Sequence, residues 1–109
     1  MIAPHFGSLH DGPAPVAGGE SFSELARAGG ARVERVASRA VTDGAWYEQA
    51  WPEFVLLVAG SAALEFADGS RRELKPGDWA LLPALCRHRV AWTDPAGETL
   101  WLAVHLPPG

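Results

Sequence analysis

The sequence predicts an all-β domain with one short N-terminal helix, and three observations carry that reading. Beyond Ala31 the apolar residues either alternate with polar ones or form short continuous runs, the patterns of half-buried and fully buried strands. Turn-forming clusters such as Asp43-Gly44, Gly60-Ser61, Asp68-Gly69 and Pro76-Gly77-Asp78 recur at the spacing of about 8–12 residues typical of sandwiches and barrels. A chain of 109 residues, 48% hydrophobic and 20% charged, can bury one core and has no room for a second.

The elements follow in order. Pro4, Pro13, Pro15 and the pair Gly18-Gly19 make residues 1–19 an extended arm, either partly disordered or laid along a partner subunit. Ser21 and Glu24 stand at capping-box spacing ahead of the helix formers Leu25 to Ala28, and Gly29-Gly30 would stop the helix after two turns. Arm and helix together occupy residues 1–30, and the β-domain occupies 31–109. Arg32–Val36 and Ala40-Val41 read as half-solvated strand. Ala45 to Trp51 alternates until Pro52 interrupts it. Phe54 to Ala59 is an apolar run of the kind buried on both faces. Ala62–Phe66 and Arg72–Leu74 flank the hairpin signal Asp68-Gly69. Trp79–Leu82, Arg87–Trp92 and Thr99–Leu106 complete the strands, with breaks at Pro83, Asp94–Gly97 and Pro107-Pro108.

Composition excludes several function classes. The net charge is −4 and no Lys/Arg run exceeds Arg71-Arg72, so the counterion-release term behind nucleic-acid binding is missing. No apolar run approaches the roughly 18 residues of a membrane span. The single cysteine, Cys86, rules out an internal disulfide and suits a reducing compartment. Met1 to Val16 lacks the basic and apolar regions of a signal peptide, and the expected location is cytoplasmic.

Two spacings point to a family. Gly77-Asp78, Pro83 and His88 match the second cupin motif, in which a glycine precedes Pro-x-Gly and then a metal-binding histidine; Leu85 replaces the second glycine and Trp92 the usual asparagine. Glu53 and Gly60 match the second half of the first cupin motif, while Tyr47 and Gln49 stand where its two histidines would be. Over Val33 to Leu106 the chain resembles small single-domain bacterial cupins. The resemblance implies a cupin jelly-roll β-barrel, with Tyr47, Gln49, Glu53 and His88 pointing into it.

An imidazole and a carboxylate at those positions suit a divalent transition metal, Fe, Mn, Ni, Cu or Zn. Exchanging two imidazoles for a phenol and an amide weakens such a site. Apolar walls with a few convergent polar groups also describe a small-molecule pocket. Three readings stand side by side. One is a metal-dependent small-molecule cupin, of the oxygenase or isomerase kind if an enzyme. Another is a metal-free binding or sensing module using the same pocket, and the last a structural dimer with a relic site. A homodimer is expected, because short barrels have edges to cover. His105, on the Trp101/Ala103 face of the last strand, reads as a surface or interface histidine, and His5 and His10 as solvated. Cys86 could line the pocket mouth, Trp79, Trp92 and Trp101 form core or pocket wall, and Arg87 and Arg89 bond to solvent or to carboxylates such as Glu98.

Overall fold

Eight strands make up the regular structure of residues 3–108, the part of the chain described in the computed structural model. Met1 and Ile2 of the expected arm, and Gly109 of the expected β-domain, lie outside the described residues. The strands are β1 (Glu20–Ala28), β2 (Ala31–Arg39), β3 (Glu53–Ala59), β4 (Ala62–Phe66), β5 (Arg71–Leu74), β6 (Trp79–Leu82), β7 (His88–Thr93) and β8 (Glu98–His105). Each turn cluster read from the sequence in this region falls between strands, and Gly60, Gly69 and Gly77 all take positive φ there.

The strands form two sheets, one in the order β1-β2-β8-β3-β6 and one in the order β5-β4-β7. All pairings are antiparallel. The core lies between the sheets. Val36, Val55, Leu57 and Trp101 from the large sheet meet Ala62, Leu64 and Leu74 from the small one. This is a two-layer sandwich rather than the closed barrel the resemblance implied: among the described residues no ladder joins one sheet to the other. Isolated bridges at Thr42↔Trp92 and Tyr47↔His88 instead lengthen the small sheet beside β7.

The expected N-terminal helix does not form. Glu20–Ala28 is the edge strand β1, paired with β2 from Glu20↔Ser38 to Ala28↔Ala31. Gly29 and Gly30, both at positive φ (59° and 80°), make the two-residue loop of this hairpin. An isolated helix of two turns is marginal in water, whereas the same residues laid along β2 satisfy a full ladder of backbone groups. Ala45–Trp51 is likewise not a strand of its own, since only Tyr47 makes a bridge. Phe54–Ala59 is buried on one face: Val55 and Leu57 point into the core, while Phe54 and Leu56 are half-buried on the outer face.

The arm folds back on its own chain. Arg35, on the outer face of β2, donates to the backbone oxygens of Leu9 and Pro13, and Ser21 Oγ also donates to Pro13. Beyond the arm the outer face of the large sheet is apolar. Trp79 stacks on Phe54 with centroids 5.5 Å apart and remains 63% exposed beside Leu81.

Candidate ligand site

Strand alternation places a set of polar groups on the inner face of the large sheet. Glu34 and Val36 of β2, Glu53 and Val55 of β3, and Trp101, Ala103 and His105 of β8 all point inward. Glu53 is registered opposite His105, and Glu34 opposite Ala103, so acids and imidazole gather at one end of the sandwich. β1 adds Glu20 and Phe22, and β7 adds His88 across the gap. Tyr47 and Gln49, from the segment bridged to β7, close the side. These residues enclose a cavity of about 80 Å3, with Val36, Val55, Leu64 and Val90 as its apolar floor.

Hydrogen bonds set the tautomers of both histidines. The Trp51 indole Nε1–H donates to His105 Nδ1 at 2.9 Å. An indole can only donate, so His105 carries its hydrogen on Nε2, which donates to Glu34 Oε1 at 3.0 Å. Both ring nitrogens of His105 are therefore engaged. In His88 it is Nδ1 that donates, to the Cys86 carbonyl at 2.8 Å, so that in the neutral ring the lone pair is on Nε2. That nitrogen has no partner among the described residues, although the side chain is only 6% exposed. Among the described residues no side-chain N or O atom sealed from solvent lacks a partner, so Nε2 opens into the cavity.

Glu20 sits in a similar chain: Trp101 Nε1–H donates to Ser38 Oγ, which donates to Glu20 Oε2. Burial raises the Glu20 pKa above its ordinary value; the Ser38 bond opposes this, and the carboxylates of Glu53 and Glu34 add to it. The Tyr47 phenol is also pushed up, by burial first and then by Glu20, Glu53 and Glu34. Because Glu20 holds its proton more tightly folded than unfolded, its contribution to stability is complete below the ordinary carboxylate range. It is lost as pH climbs through the raised value. Glu20→Gln can keep the Ser38 bond through its amide oxygen and has no such loss. Its unfolding free energy relative to wild type should therefore rise between pH 4 and pH 7 in urea titrations. A constant difference across that range would contradict the assignment.

Tyr47, Gln49, Glu53 and His88, the four ligands expected from the sequence, all border this one cavity. As a metal site they fit poorly. Among the described residues no three His, Cys, Asp or Glu side chains converge in a way that could hold an ion. His88 offers a free imidazole nitrogen, but His105 has both of its own occupied, and a phenol with a raised pKa is a neutral, weak ligand.

Three lining residues were not expected. His105 is buried against Trp51 and Glu34 rather than at a surface. The signal lay in its sharing a strand face with Trp101 and Ala103. Glu34 alternates with Val36, and Glu20 was hidden because the following residues read as a helix. Cys86 borders a separate groove with Trp79 and Pro83, and burial raises its thiol pKa. Arg89 pairs with Glu65 and Asp43, and both Arg87 and Arg89 lie over the Trp46 ring; Glu98 faces Arg35 instead.

Two antiparallel sheets around a small pocket with polar groups at one end define a β-sandwich of the jelly-roll class. The chain is 42% identical to a protein of Ralstonia eutropha JMP134 described as a candidate mannose-6-phosphate isomerase. The alignment covers 95% of this chain and 99% of that one, with a TM-score of 0.82. A cupin superfamily protein of Desulfitobacterium hafniense DCB-2 matches at 20% identity and TM-score 0.66, covering 84% of this chain and 81% of its own. The enzyme HppE, in a structure containing Fe(II) and an alternative substrate, matches at 17% identity and TM-score 0.71, over 80% of this chain and 49% of its own. These last two likenesses show the fold alone. No family model matches the chain, and no curated protein does. The chain belongs to the same family as the Ralstonia protein, and it shares its fold with the cupin superfamily protein.

Proposed function

We propose that this chain is a small-molecule-binding cupin whose pocket works without a resident metal. The observation that carries the reading is His88. Its ring is buried and oriented by the Cys86 carbonyl, and its Nε2 lone pair opens unpartnered into a cavity with apolar walls. An acceptor open to the cavity can exchange solvent for a ligand donor, and the apolar walls strengthen that hydrogen bond. Glu53, Gln49 and Tyr47 supply further polar contacts on the same rim.

A second reading is supported by the same histidine. Metal-ligating imidazoles usually donate their other N–H to a carbonyl or carboxylate, as His88 does. On that reading His88, Glu53 and Gln49, with Tyr47 as a fourth, would hold a divalent transition metal. The metal would supply Lewis acidity for the chemistry of an oxygenase or isomerase.

The test compares thermal shifts from a library of small polar compounds with and without chelator, alongside elemental analysis of untagged protein. A ligand that raises the melting temperature equally in chelator, and fails to do so in a folded His88→Ala variant, is the expected result. Near-stoichiometric Fe, Mn, Ni, Cu or Zn that disappears in His88→Ala would overturn the metal-free reading in favour of the second.

A further inference from the structure

The pocket's chemistry is one-sided. Three carboxyl groups, Glu20, Glu34 and Glu53, border it, and among the described residues that line it there is no Lys or Arg. The two imidazoles do not offset this. His105 gives its only N–H to Glu34, and His88 gives its own to the Cys86 carbonyl. What faces the cavity from the neutral His88 ring is therefore an acceptor, in a side chain 6% exposed. The donors left are the Tyr47 hydroxyl and the Gln49 amide, against three carboxyl groups and one imidazole lone pair.

A phosphate ester is the wrong partner for such a cavity. It brings about two negative charges and oxygen acceptors, and its recognition needs Arg, Lys or a cluster of backbone N–H donors. The sugar phosphate named in the description of the Ralstonia relative therefore does not suit these residues. An N–H-bearing cation suits them on both counts, since it supplies the charge that the carboxylates lack and donors for every unpaired acceptor.

Resting on the small-molecule reading above, we infer that the pocket takes a small organic cation carrying N–H donors, a primary ammonium or a guanidinium, and not a sugar phosphate. Its N–H groups donate to His88 Nε2 and to the carboxylates of Glu20 and Glu53. The rings of Tyr47 and Trp101 border the same cavity, and aromatic rings attract cations to their faces. The volume of about 80 Å3 suits a cationic head of a few heavy atoms. The local field agrees: every charged group that acts on Glu20 and on Tyr47 is a carboxylate.

The experiment is calorimetric titration of the full chain with ethylammonium, methylguanidinium, tetramethylammonium, mannose 6-phosphate and inorganic phosphate, at low and moderate salt. Ethylammonium or methylguanidinium should bind. Affinity should fall about tenfold or more in Glu53→Gln and in Glu20→Gln, the loss of one charge-assisted hydrogen bond each. It should also weaken with salt, and tetramethylammonium, which has no N–H, should bind poorly. Circular dichroism of each variant separates lost binding from lost fold. Binding of mannose 6-phosphate or phosphate, or cation binding unaffected in both folded variants, would overturn the inference. If a neutral or anionic compound from the library binds and His88→Ala abolishes it, the pocket reading survives and the cation inference fails. If no compound of any charge binds, both fail.

Discussion

Gly60→Ala should destabilise the protein by about 3 kcal/mol or more, a large share of the roughly 5–15 kcal/mol that holds a domain of this size together. Gly60 has φ +89°, where an L side chain is strained, and its α-carbon lies hard against β8. A Cβ placed there would be 2.8 Å from Thr99 Cα and 2.9 Å from Thr99 Cβ. Thr99 cannot give way. It is fully buried, and its hydroxyl donates to the Ser61 carbonyl and accepts from the Ser61 amide. The turn also follows a register shift between Leu57 and Ala59 in the pairing of β3 with β8. Gly77→Ala is the control. Gly77 has a similar φ of +95° with open space around its Cα, so its replacement should cost only the backbone strain, about 1–2 kcal/mol. Urea denaturation of the two variants separates close approach from conformation. Equal losses would show that the Thr99 contact contributes nothing.

Arg35→Ala should cost about 2–4 kcal/mol and free the N-terminal arm. The Arg35 side chain is 2% exposed. Nε donates to the Leu9 carbonyl at 2.7 Å and Nη1 to the Pro13 carbonyl at 3.4 Å, while Nη2 faces Glu98 at 3.5 Å. Gly12 passes so close that a Cβ on it would lie 2.7 Å from the guanidinium carbon. Hydrogen bonds from a charged donor contribute about 1.5–3 kcal/mol each, and releasing a buried charge to water returns part of that. The net loss stays substantial because the arm loses its anchor as well as its contacts. Amide exchange across residues 8–13 should speed up in the variant together with the fall in stability. Arg35→Met keeps much of the volume without the charge and should loosen the arm as well. A variant within about 0.5 kcal/mol of wild type, with the arm still protected, would sink this account.

Much of this was legible in the sequence because turns are local. Asp68-Gly69 and Pro76-Gly77-Asp78 mark connections through the backbone preferences of their own residues, and the strands between them follow from alternation. The spacing of Glu53, Gly60, Gly77, Pro83 and His88 led to the cupin family and to one wall of the cavity. The N-terminal segment reads as a helix in the sequence because Ser21, Glu24 and Leu25–Ala28 are compatible with a short helix when considered alone. Only the presence of β2, with an open edge two residues beyond, makes the strand the better partner. Arg35 gave no sign of burial, since nothing in Arg32–Val36 shows that the arm returns across that face.

The amino-acid sequence by itself determined a β-rich domain beyond Ala31, its turn positions and the family it resembles. Those properties depend on the conformational preferences of neighbours and on a two-residue period. The tertiary structure decided that the sheets stay open as a sandwich, that β1 is a strand, and that Glu20, Glu34 and His105 join His88 around one cavity. Those outcomes depend on register between strands far apart in the chain, where cross-strand neighbours and desolvation, rather than local preference, set which groups meet.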